Sequence, residues 1–266
     1  MQVQVFETNI NHASDIVHWL DATTGNSGSE ADMKLITRVM KVELSRDETF
    51  LNSKPDDLQL IHKPGAMCLV LRDNRLEVKG ESNESHRTRP EPSTYPLKGI
   101  VYDSDDKYNP RVFELTLGLG NGHTISLYPS PQGTRLGMGG GVIGNIRFDN
   151  DTPAAWALVE LEVEVAPSTD INFVAQADAN GDFILSMSRL PPLPENEDDY
   201  EAKLTIYATT GVTKDTPVVP TGQAQMDIEE LDENEYEDEL EINVVPGTIH
   251  NLKSFNRGYL AVRTSD

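Results

Sequence analysis

Short runs of alternating hydrophobic and polar residues recur along this chain, and no long segment carries a convincing helical face. Met1-Gln2-Val3-Gln4-Val5-Phe6 alternates with period two, the pattern of a half-buried strand, because successive strand side chains point to opposite faces. Asp15 to Asp21 follow as an apolar-rich run, and Thr24-Gly25-Asn26-Ser27-Gly28-Ser29 reads as a turn-rich loop. Residues 31–45 admit two readings. Leu35, Ile36, Val39 and Met40 have helical spacing, while Val39 to Leu44 can close as a strand; strand neighbours on both sides favour the strand. Leu58 to Leu60 and Met67 to Leu71 complete a first module that ends near Gly80.

Residues 81–96 hold almost no apolar side chains and three prolines, too little surface to offset the entropy of ordering unaided, so they read as a linker. Leu97 to Tyr102, Val112 to Leu119 and Thr124 to Tyr128 are short strand-like runs between turns rich in Asp, Asn and Gly. Gly137-Met138-Gly139-Gly140-Gly141 marks a second break. Strands are predicted after it at 142–148, 156–165, 171–175, 183–187, 202–209, 240–245 and 259–263. This spacing predicts an all-β protein of two β-sandwich modules, immunoglobulin-like or transthyretin-like, joined by a proline-rich polar linker. The expected divisions are an N-terminal β module at 1–80, the linker at 81–96, bridging strands at 97–136 and a second sandwich at 137–266.

Charge narrows the functional classes. The 266 residues carry 44 acids against 22 bases, a formal net charge of −22. Such a field repels phosphate backbones and anionic membrane surfaces, so neither nucleic acid nor membrane is an expected partner. The imbalance is uneven: residues 1–133 have a net charge of −5 and the remainder −17. The lone Cys68 excludes an intramolecular disulfide and a cysteine-based zinc cluster. The opening residues lack a basic region followed by an apolar core, and no stretch approaches 18 apolar residues, so a cytoplasmic protein is expected, or one in a particle released by lysis.

The motifs argue against catalysis. Gly139-Gly140-Gly141-Val142-Ile143-Gly144 has the letters of a dinucleotide-binding loop, but a strand pattern follows where a helix N-terminus must meet the pyrophosphate. Asp178-Ala179-Asn180-Gly181-Asp182 has two readings. As a calcium loop it would place Gln176 and Met187 at ligand positions, leaving at most weak surface binding; as a hairpin turn it has the favoured Asn-Gly pair. The six histidines are scattered without metal-ligand spacing. No catalytic, cofactor-binding or metal residues are assigned, and no cofactor is expected.

One segment does stand out. Ten of the fifteen residues from Asp227 to Glu241 are acidic, a density that favours an extended or poorly ordered loop. It reads either as a solvated loop or as a docking surface for other protein subunits with a basic face. In the second reading Glu229, Glu230, Glu233 and Glu237 supply charge and Leu231 and Tyr236 supply apolar contact, with Ile228 and Leu240 as further anchors.

Residues 142–187 resemble the carboxypeptidase regulatory-like domain, a transthyretin-like β-sandwich. The matching features are Ile143-Gly144-Asn145-Ile146, then Pro153 before Ala157 to Leu161, then Asp178-Ala179-Asn180-Gly181-Asp182-Phe183-Ile184-Leu185. Alanine stands at 177 where the family has threonine. The resemblance implies a non-catalytic domain that scaffolds or binds neighbours. Asp21-Ala22-Thr23-Thr24-Gly25 is similar to the opening of another such unit. The layout as a whole resembles accessory proteins of phage tails and contractile injection systems, which implies a structural or adaptor role. A carbohydrate- or protein-binding β-sandwich module and an unrecognised enzyme are the alternatives.

Overall fold

A computed structural model describes residues 14–25, 30–45, 58–71, 94–118, 120–167 and 169–265. Met1 to Phe6 and most of 81–96 lie outside them. Among the described residues there is no α-helix, only three short 3-10 turns, and the protein is all-β.

The first part contains β1 (Ser14–Asp21), β2 (Lys34–Leu35), β3 (Lys41–Leu44), β4 (Leu58–Lys63), β5 (Ala66–Leu71), β6 (Tyr95–Tyr102), β7 (Arg111–Leu117) and β8 (Gly122–Leu127). One sheet runs β2-β1-β5-β4, with β8 added parallel to β1; the other runs β3-β6-β7. Between them Val17, Trp19, Met67, Leu97, Phe113 and Leu127 form one core. The strands expected to bridge two modules, within 97–136, are therefore built into the first core. The segment 31–45 holds strands rather than a helix. Ile36 and Met40 are both buried beside these strands: Ile36 N donates to Trp19 O at 2.8 Å, and Leu44 pairs with Gly99.

The second part contains β9 (Gly141–Phe148), β10 (Leu158–Ala166), β11 (Thr169–Gln176), β12 (Asp182–Ser186), β13 (Tyr200–Ala208), β14 (Ala224–Glu229), β15 (Tyr236–Glu237), β16 (Leu240–Val244), β17 (Ile249–Asn251) and β18 (Leu260–Thr264). They form a ten-stranded sheet of order β11-β10-β13-β14-β18-β9-β12, with β15 on β14, β16 on β13 and β17 on β9. It curls around a core that includes Val142, Ile146, Leu161, Phe173, Phe183 and Leu204. Alternation dictates these strands. In Tyr200-Glu201-Ala202-Lys203-Leu204 of β13, every second residue is buried and the others are exposed. Pro167 follows β10 and ends it, having no N–H to donate.

Phe183 and Leu185 face the same core, as their spacing predicts. The Asn180-Gly181 turn closes locally as a three-residue hairpin loop: Gly181 N donates to Asp178 O at 3.1 Å, Asp178 N donates to Asp182 O at 2.8 Å, and Gly181 takes φ +83°. The ladder goes no further, because β11 pairs with β10 whereas β12 pairs with β9, so the turn links the two ends of the sheet order.

The two cores meet through a small apolar cluster of Ala22, Tyr128 and Leu158, with Met33, Val174 and Tyr207 against it. Buried Asn109 Nδ2 donates across the junction to the carbonyls of Gln176 and Ala177, each at 3.1 Å. Leu158 lies on the outward face of β10, which also carries Glu160, Glu162 and Glu164. One end of that face is used by the junction and the other is left to solvent.

Candidate functional site

The acidic segment is an ordered element. β14 runs into a turn closed by Glu230 N donating to Glu235 O at 2.9 Å; β15 pairs back on β14, and β16 pairs with β13. Apolar alternation overrides the charge. Met226, Ile228, Leu240, Ile242 and Val244 are buried, and each apolar side chain taken from water stabilises the fold by roughly 1.5–3 kcal/mol. The expected poorly ordered loop is thus corrected to strands, and Ile228 and Leu240 are core residues rather than docking anchors.

Glu229 also departs from expectation. It is 1% exposed, and its carboxylate receives both Arg257 Nε and Arg257 Nη2, the latter at 3.2 Å. The carboxylate and the Tyr259 hydroxyl hold the Arg257 guanidinium well above its ordinary pKa. Ser254 Oγ donates to Glu229 O at 3.0 Å and Phe255 N to Glu230 O at 2.9 Å, so this corner is tied to the segment after β17. Glu229 positions the turn and offers nothing to a partner.

The other proposed residues are available. Glu233, Glu237 and Leu231 are exposed, and Glu230 is half-buried. Tyr236 is half-buried, with Arg263 over its ring at 4.3 Å. Burial, then the charge of Glu229, pushes the Tyr236 hydroxyl pKa up. Desolvation and the charges of Glu233, Asp232, Glu237 and Glu235 hold the Glu230 carboxyl above the usual carboxylate range. Oxygens of Glu230, Asp232 and Glu233 come within 4.8 Å of one another, a donor set suited to a hard cation but short of the six to eight ligands calcium takes.

Topology adds acids that the run itself does not contain. Register places Glu162 of β10 opposite Lys203 of β13, and Lys203 opposite Glu241 of β16. These outward side chains, with Glu164, Asp170 and Glu201, line a groove of about 580 Å³. Exposed Leu231 supplies its main apolar surface, and the largely buried Ile242 and Leu252 reach its wall. A second hollow of about 590 Å³, lined by Glu230, Asp232 and Glu237 to Glu241, shares Leu231 and Glu241 with the first. Together the two hollows are lined by ten carboxylates against one lysine, and Lys203 Nζ is already paired with Glu239 Oε2 at 3.1 Å. The alternation of Glu160, Glu162 and Glu164 is a signal in the sequence for one acidic face of this strand; which strands stand beside it is not legible locally.

At 178–182 the carboxylates serve the turn. Asp178 Oδ1 accepts from Asn180 N at 2.7 Å and Asp182 N at 3.1 Å, while Asp182 Oδ1 accepts from Asn145 Nδ2 at 2.8 Å. This geometry favours the turn over a calcium loop. Both tryptophans are buried, so neither is free to stack on a sugar. Trp156 sits at φ +62°, held by Nε1 donating to Thr213 O at 3.0 Å and by Gln176 and Gln223 amides donating to its carbonyl. Among the described residues no helix is long and apolar enough to cross a membrane.

No protein-family model matches this chain, and no curated protein matches it. A leucine-rich repeat protein from Bacteroides thetaiotaomicron, of known crystal structure, aligns at 13% identity and a TM-score of 0.18. The alignment covers 96% of this chain and 27% of that one. A likeness this slight carries no argument about fold or function, and the chain spans about a quarter of that protein's length.

Proposed function

We propose that this chain is a non-catalytic structural or adaptor component of a larger protein assembly, and that it receives a positively charged surface of another subunit in the acidic groove beside β16. The observation that carries this reading is the convergence of ten carboxylates on two hollows that share Leu231 and Glu241, where Leu231 is an exposed apolar side chain. Concentrated charge accelerates and orients the encounter with an opposite surface, and the apolar contact slows its departure. The sequence resemblance to accessory proteins of phage tails and contractile injection systems points to that type of assembly.

Decalysine is a suitable probe, measured by calorimetry across a sodium chloride series. A variant with Glu230, Glu233, Glu237 and Glu241 changed to Gln should bind it at least tenfold more weakly than the parent. A control with equal charge loss elsewhere, Glu195→Gln, Glu197→Gln, Asp198→Asn and Asp199→Asn, should bind within about twofold of the parent. The difference should shrink as salt shortens the screening length to about 8 Å at physiological strength. Equal weakening in both variants would reduce the groove to part of a general acidic surface.

A further inference from the structure

We infer that the groove's occupant is an extended basic peptide segment that pairs with the outer edge of β16 as an added strand, an inference that rests on the acidic-groove reading above. β16 is hydrogen-bonded to β13 along Leu240 to Val244. Among the described residues no backbone hydrogen bond leaves its other edge. After β16 the chain makes a four-residue turn, closed by Thr248 N donating to Val245 O at 3.1 Å, which would suit a hairpin. Instead β17 departs to pair in parallel with β9. The two arms are pinned near the turn, where Val245 N donates to His250 Nε2 at 3.1 Å, and they diverge from there. The 580 Å³ groove touches both arms, at Ile242 and Asn243 on one and His250 and Leu252 on the other, and extends over Lys203 and Glu162 on the outward face. The second hollow is lined by Leu240 and Glu241, so hollows adjoin β16 from Leu240 to Asn243.

An unpaired strand edge is a template for another chain, because its N–H and C=O groups match those of any extended backbone. Five residues of β16 span about 16 Å at roughly 3.3 Å per residue, enough for four or five paired positions. Charge selects the occupant. Pairing with a second copy through this edge would bring Glu239 and Glu241 against the same acids, which is repulsive. Lysine or arginine at alternate positions would instead lie beside Glu241 and its neighbours, while intervening apolar residues would meet Ile242 and Leu252.

The test compares two end-blocked heptapeptides of alternating Lys and Val with the full chain: one unmodified, the other N-methylated at its central five backbone nitrogens. Charge and side chains are the same, but the central five residues of the methylated peptide cannot donate to a strand. Strand addition predicts at least a tenfold loss of affinity on methylation, and slowed hydrogen exchange at β16 amides with the unmodified peptide. Equal affinities, or binding without slowed exchange in β16, would overturn strand addition and leave the acidic groove as a charge-matched surface. Failure of both peptides to bind would overturn strand addition and the groove reading together.

Discussion

Replacing Arg257 with Met leaves the Glu229 carboxylate buried and unpaired. At 1% exposure that carboxylate cannot recover its hydration from bulk water, and the guanidinium supplies two of its contacts. Breaking a buried pair from one side costs about 3–5 kcal/mol, and the 28% exposure of the Arg257 side chain places this one near the lower end, about 3 kcal/mol. Loss of the Arg257 stacking on Tyr259, at 5.6 Å, adds up to about 1 kcal/mol. Glu229→Gln in the Arg257→Met background removes the stranded charge and should restore about 1–3 kcal/mol, a coupling measurable as a double-mutant cycle by urea unfolding at pH 7. Loss below about 1 kcal/mol in Arg257→Met, or additive costs in the double variant, would refute the view that this pair fixes the corner carrying the acidic turn.

Gly181→Val should destabilise the second sandwich by about 3 kcal/mol or more, seen as a lowered Tm. A Cβ there would lie 2.2 Å from Ile146 O, and a β-branched residue is strained at φ +83°. Glu230→Gln should raise stability at pH 7. Because folding raises the wild-type carboxyl pKa, the folded form binds protons more readily, and wild-type stability falls as pH rises through that raised value. The variant's advantage should therefore vanish below about pH 4 in pH-dependent unfolding. Asn109→Ala strips the donor from the carbonyls of Gln176 and Ala177 and should cost about 1–3 kcal/mol; calorimetry should show the unfolding of the two cores separating.

The second sandwich was legible in the sequence wherever burial alternated. Val159, Leu161 and Val163 point into the core while Glu160, Glu162 and Glu164 do not, so β10 could be read from period two alone. β14 was hidden because charge dominated the pattern: Glu229 stands at an acidic position, and its partner Arg257 lies 28 residues on. The first core was harder still. β8 joins β1 in parallel, pairing Val17 with His123 across more than 100 residues, and no local pattern reports such a contact. The same limit applied to the groove. Its acids come from β10, β11, β13 and the run after β14, and only the register Glu162–Lys203–Glu241 brings them together.

The most direct measurement is residue-resolved: amide chemical shifts of the full chain recorded while decalysine is added at low salt. The expected shifts concentrate at 230–243 and 250–252, with Glu162, Glu164 and Glu201 beside them, and fade as salt rises. Shifts spread evenly over the exposed acids of 195–199 and the first sandwich, with no preference for the β16 groove, would contradict the proposal that this concavity is the partner-binding surface.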